Sequence, residues 1–163
     1  MHKKIKLLYF TGAIVYCIAG CSITNDSSLQ PQTAHKNIQL GLGYLQEGET
    51  ERAKQKLLLA LQQDPNASEA QIAMGYFLAH EGNPKDAEFY YKKAFQLDPH
   101  SGQVQMNYGV FLCEQGLYQK GLSLLTAAFQ NRQYLHHQEA LDNIASCKLK
   151  NNLSINQLNS TSQ

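Results

Sequence analysis

From residue 34 onward the apolar positions recur at an interval of 34 residues, and inside each interval they fall three or four residues apart, the spacing of a helix that buries one face. Gly41, Gly75 and Gly109 share one column, preceded by Leu40, Met74 and Tyr108 and followed by Tyr44, Leu78 and Leu112. Gly48, Gly82 and Gly116 follow seven residues later, then the columns Ala53/Ala87/Gly121, Leu57/Tyr91/Leu125 and Ala60/Ala94/Ala128. Each interval therefore reads as two helices joined at its second glycine, where left-handed backbone costs glycine little. Asn83-Pro84 predicts a capping side chain followed by a proline at the first helical position. Asp64-Pro65 and Asp98-Pro99 predict the end of each second helix and the turn into the next unit. The units so defined are 34–67, 68–101 and 102–135.

Glycine costs roughly 1 kcal/mol against alanine inside a helix, so its recurrence at 41, 75 and 109 calls for a packing reason. Small residues there, and at 53, 87 and 121, let the two helices of a unit approach closely while larger neighbours fill the space beside them. These columns resemble the tetratricopeptide repeat, with Asn37, Gln71 and Gln105 standing where that family often has tryptophan. The resemblance implies an all-α solenoid of antiparallel helix pairs. The third unit departs at its end, where Gln133 replaces the expected proline and Arg132 to His137 forms an irregular link. After it, Glu139 to Lys150 has the apolar spacing of another first helix, so residues 136–150 read as a partial fourth unit whose helix has to cover the open end. Residues 151–163 are rich in Asn, Ser and Gln and read as a frayed polar tail, or as a short helix around Ile155 to Leu158.

The chain begins differently. Lys3, Lys4 and Lys6 precede an apolar run from Ile5 to Ile18 and the sequence Ala19-Gly20-Cys21. A transmembrane helix needs about 20 apolar residues, and this run is shorter, so residues 1–20 read as a secretory signal to be set aside from the fold. Ile18-Ala19-Gly20-Cys21 resembles the lipobox of bacterial lipoproteins, which implies cleavage before Cys21, acylation of its thiol and a mature chain anchored by several acyl chains. Ser22, where an aspartate favours inner-membrane retention, implies the periplasmic face of the outer membrane. Residues 21–33 read as the acylated cysteine and a flexible tether.

Whole-chain charge is +1, from 14 Lys and Arg against 13 Asp and Glu. Losing residues 1–20 removes three lysines and no acid, leaving a slightly acidic mature protein, and no excess of cations remains to neutralise nucleic-acid phosphates. The sequence contains no Gly-rich phosphate loop, HExxH, GxSxG or metal-spaced Cys/His set, so neither a catalytic residue nor a metal or cofactor site is predicted, only the covalent lipid on Cys21. His136 and His137 are neighbours that point about 100° apart on a helix, and Glu47, Glu49 and Glu51 read as a solvated acidic cluster near a helix start. Cys113 and Cys147 lie on the first helices of adjacent units: either they form a disulfide, which the periplasm permits, or they are two buried thiols. Ile38, Leu42 and Leu45, then Ile72, Tyr76 and Ala79, then Met106, Val110 and Cys113 repeat one turn apart along the first helices. They line either a concave groove for an amphipathic protein segment or the contacts between units.

A longer resemblance lies in the third unit. Asn107-Tyr108-Gly109-Val110-Phe111-Leu112-Cys113-Glu114-Gln115-Gly116-Leu117-Tyr118, with Asp98-Pro99-His100 before it and Glu139-Ala140-Leu141-Asp142-Asn143 and Cys147 after it, is similar to the type IV pilus biogenesis lipoproteins of the PilF/PilW family. That resemblance implies a pilotin: a lipoprotein that binds a secretin subunit, carries it to the outer membrane and promotes its multimeric ring. Members usually continue through further repeats, whereas this sequence stops inside the fourth unit. The alternative is a tetratricopeptide lipoprotein that scaffolds β-barrel assembly or cell-wall enzymes.

Overall fold

The computed structural model describes residues 29–161, with side-chain surroundings from Pro31 to Gln157. The signal 1–20, the anchor Cys21 and the tether to residue 28 lie outside the described residues. Seven helices follow in order: α1 Leu29–Gln46, α2 Thr50–Gln63, α3 Ser68–His80, α4 Pro84–Leu97, α5 Gly102–Glu114, α6 Tyr118–Gln130 and α7 His137–Thr161. Among the described residues there is no strand, and no helix is long and apolar enough to cross a membrane.

The turns follow the punctuation of the sequence. Gly48, Gly82 and Gly116 have φ of +76°, +75° and +76°, and the next amide, of Glu49, Asn83 or Leu117, donates 2.8 Å back to the carbonyl of Tyr44, Leu78 or Leu112. This is the Schellman closure, made three times in the same column. Asp64 and Asp98 terminate α2 and α4, and Pro84 opens α4. The Asn83 side chain, expected to cap α4, makes no capping hydrogen bond; the proline alone sets the first turn.

Close packing accounts for the small columns. A Cβ at Gly41 would lie 2.7 Å from the Leu57 side chain, at Gly75 3.1 Å from the Tyr91 ring, and at Gly109 2.9 Å from Leu125. The three pairs are each sixteen residues apart and occupy the same crossing in α1/α2, α3/α4 and α5/α6. Leu57 and Leu125 are fully buried there, and a buried leucine contributes about 1.5–3 kcal/mol.

Between units, the tryptophan column is filled by amides. Gln71 and Gln105 are buried, and each Nε2 donates at 2.8 Å to the carbonyl of the preceding turn proline, Pro65 or Pro99. Each amide thus ties a helix to the turn that delivers it. In the first unit, Asn37 donates instead to Gln63 at the end of α2, 2.9 Å away.

Odd-numbered helices touch in series, α1 with α3, α3 with α5 and α5 with α7, whereas α2, α4 and α6 touch only the odd helices beside them. The ribbon therefore curves with the odd helices on its inner face.

Two boundaries differ from expectation. The tether read to residue 33 is already helical from Leu29, the first described residue, so its last five residues belong to α1. The polar tail read from 151 is the second half of one continuous helix, so the fourth unit does not stop at 150. No Gly or Pro interrupts residues 137–161, and half-buried Asn151 continues the inward stripe of Ala140 and Cys147 to meet Gly116 to Lys120 at the start of α6.

Candidate functional site

The inner face carries a cavity of about 630 Å³ that runs from α1 across α3 to the start of α5. Ile38, Ile72 and Val104 are buried at its base. Leu42 is half-buried on its wall, and Tyr76, 48% exposed, stands up from α3 in the same column. Gln46, Gln103 and Asn107 supply amides to the rim. The Asn107 amide already donates to the Gln103 carbonyl at 2.8 Å, which leaves its side-chain oxygen as an acceptor.

Glu69 brings a negative charge to the wall, and His35 of α1 meets it at 3.0 Å, joining the first two inner helices at the edge of the cavity. His35 also contacts Gln39 at 2.9 Å. Such an exposed pair orients side chains more than it stabilises the fold.

Behind the cavity lies an aromatic cluster. The Tyr91 ring is 4.8 Å from Phe111 and 6.0 Å from Tyr108, centroid to centroid. Burial raises the pKa of both phenols, Tyr91 the more. The wall formed by α3 and α5 is therefore backed by rings packed between units 2 and 3, a firm support for an inner surface.

Ile38, Leu42, Ile72 and Tyr76 come together in this cavity. Leu45, expected beside them, points into the core against Ala53, Leu57 and Phe77. Met106 and Val110 pack with Ala140, Ile144 and Cys147, and the Asn143 amide reaches Met106 Sδ at 3.5 Å. They leave the open surface because α7 covers this part of α5. Ala79 packs on the second core cluster. Cys113 and Cys147 form a disulfide joining α5 to α7, with Cα atoms 5.5 Å apart.

Apolar spacing alone misses the polar rim. Its signal is the column one turn ahead of Ile38, Ile72 and Met106, which holds His35, Glu69 and Gln103. His136, in the link before α7, and His137, its first residue, instead flank the buried Tyr134 ring, at 5.6 and 6.2 Å. Among the described residues, no three His, Cys, Asp or Glu side chains stand close enough to hold a metal ion.

Residues 78–141 match the family model of the tetratricopeptide repeat. No curated protein matches the chain by sequence. Among solved structures, Pseudomonas aeruginosa pilF is similar at 36% identity and a TM-score of 0.69 over 74% of this chain and 55% of its own. PilW, a widely conserved type IV pilus biogenesis factor, is similar at 21% identity and a TM-score of 0.70 over 75% of this chain and 56% of its own. The Yersinia enterocolitica type III secretion chaperone SycD, in complex with a peptide of the translocator YopD, shares the fold at 17% identity and a TM-score of 0.58, over 73% of this chain and 95% of its own. The chain thus spans little more than half the length of the two pilus biogenesis structures.

Proposed function

Since the chain is a tetratricopeptide-repeat protein related in structure to the type IV pilus biogenesis factors PilF and PilW, we propose that it supports type IV pilus biogenesis as an outer-membrane lipoprotein. In this reading Cys21 carries the acyl anchor and the inner groove of α1, α3 and α5 captures a segment of a secretin subunit, promoting its delivery and multimerisation. The observation that carries the proposal is the 36% identity to pilF across 74% of the chain. The groove's chemistry fits the task. Its base is aliphatic, its one tall side chain is Tyr76, and its rim offers amides, so it suits a segment with an apolar face and free backbone hydrogen-bonding groups.

Secretin mobility on unheated blots of separated membranes, from cells with and without the gene, tests the proposal. Loss of the multimer together with monomer accumulating in the inner membrane is the expected result. An unchanged multimer overturns the pilotin role and leaves a scaffold for another envelope complex, to be identified by crosslinking from the groove.

A further inference from the structure

The outer helices carry a charge asymmetry that the groove does not use. α2, α4 and α6 hold seven Lys or Arg against three Asp or Glu, whereas α1, α3 and α5 hold one Lys against two Glu. Arg52 and Lys92 are paired with Glu49 and Glu88, but Lys54, Lys56, Lys85, Lys93 and Lys120 form no ion pair among the described residues.

The same face exposes apolar surface. Between α2 and α4 lies a cleft of about 310 Å³ floored by Met74 and Leu78 of α3, with Leu58 and Phe89 on its walls. Leu58 is 48% and Phe89 62% exposed. Lys54 lines the cleft, and Lys85 and Lys93 stand four residues either side of Phe89, on the same side of α4. Asp86 is the acid at the rim. A phenylalanine and a leucine left to water within a ring of unpaired lysines match a surface that is apolar beneath and anionic on top, which is the chemistry of a phospholipid interface.

We propose that the α2/α4 face rests on an anionic bilayer and holds the peptide groove on the side away from it. The inference rests on the lipid-anchor reading of Cys21, and that reading supplies the second argument. Eight residue steps separate Cys21 from Leu29 of α1, a reach of at most about 28 Å. A body so tethered meets the bilayer at high local concentration, and the cleft lies on the two units nearest the anchor. An acidic protein segment would satisfy the lysines equally, but nothing tethers one there.

The chain contains no tryptophan, so a single introduced one reports its own surroundings. Full-length Phe89→Trp and Tyr76→Trp proteins, purified from membranes with their native modification, are mixed with vesicles of phosphatidylethanolamine and phosphatidylglycerol containing brominated lipid. The indole emission of the Phe89→Trp protein should shift to the blue and be quenched several-fold more than that of the Tyr76→Trp protein. Adding Lys54→Glu and Lys93→Glu to Phe89→Trp, or replacing the anionic lipid with phosphatidylcholine, should remove most of that quenching. Quenching of Phe89→Trp no greater than that of Tyr76→Trp, or unchanged after charge reversal, overturns the proposal and leaves the cleft to an acidic protein partner. Cosedimentation with vesicles reports the anchor separately. If the Phe89→Trp protein pellets with its emission unquenched, the anchor stands and the docked face is lost; if it is quenched at excess vesicles even when the chain starts at Ser22, without signal or acyl groups, the face is established without the anchor.

Discussion

At Gly121 a Cβ would press on Cys113 Sγ, 2.8 Å from the Gly109 carbonyl oxygen and 3.0 Å from the Cys113 amide, and backbone atoms cannot swing aside. Gly121→Ala should therefore cost about 1–3 kcal/mol as overpacking. At Gly43, inside α1, a Cβ would meet nothing within 4 Å, so Gly43→Ala should gain up to about 1 kcal/mol from backbone entropy alone. Urea melts of the two variants, moving in opposite directions, check both. The repeat columns made the crossing glycines legible because they recur; Gly43 has no counterpart at 77 or 111, and its freedom shows only in three dimensions. Tyr134 gives a second contrast. Its ring is buried with its hydroxyl unpartnered, and burial, with Glu139 adding to it, pushes its ionisation up to about 12 from the usual 10. Between those values the unfolded chain has released a proton that the fold retains, so stability is full below pH 10 and falls as pH rises toward 12. Tyr91 and Tyr108 act in the same direction. Tyr134→Phe should be close to neutral at pH 7, since no hydrogen bond is lost, and should remove at most about 2–3 kcal/mol of the alkaline fall. The urea midpoint followed with pH, wild type against variant, measures both limbs.

At the scale of the element, α7 is where apolar pattern and structure part. Leu141, Ile144, Ala145 and Leu149 announced a helix, yet the turns beyond residue 150 place Asn151 and Ser154 on the half-buried side, polar residues that a hydrophobic period cannot register. The same blindness hid the helical residues 29–33, which carry no apolar period and read as tether. By column, Asp142 and Ala145 of α7 stand where α5 has Tyr108 and Phe111, the rings it packs on Tyr91 of α4. Helix α7 is held by one neighbouring pair and by the Cys113–Cys147 bond, which closes a separation of 34 residues. Reduction, or Cys147→Ser, should lower stability by about 2–4 kcal/mol. Hydrogen exchange should rise in α7 and the facing turns of α5 while α1 to α4 keep their protection; uniform loss of protection would show instead that α7 is cooperative with the whole solenoid.

Across the whole molecule, curvature divides the inner face into an open stretch and a covered one. Spacing along the first helices identified one stripe, Ile38 to Val110, as a single surface. It could not register that α7 folds over the last part of it, because coverage depends on a helix more than thirty residues away. The stripe consequently holds two kinds of residue that look alike in sequence. Tyr76, half exposed in the cavity, should tolerate Tyr76→Glu with a stability change within about 0.5 kcal/mol, while a charge at the mouth of an apolar groove should weaken capture of the partner segment at least tenfold, about 1.4 kcal/mol. Met106, buried against Ala140, Asn143 and Cys147, should behave in the opposite way. Met106→Glu buries a carboxylate in the cluster of Ala140, Ile144 and Cys147 and should cost several kcal/mol, freeing α7 while the cavity of α1 and α3 keeps its lining. Thermal melts and pull-down of a secretin subunit, the partner proposed above, by both variants separate the two effects. If Tyr76→Glu retains full capture, the binding surface lies outside the groove; if Met106→Glu loses capture in proportion to its unfolding alone, the covered part of the stripe serves the fold and not the partner.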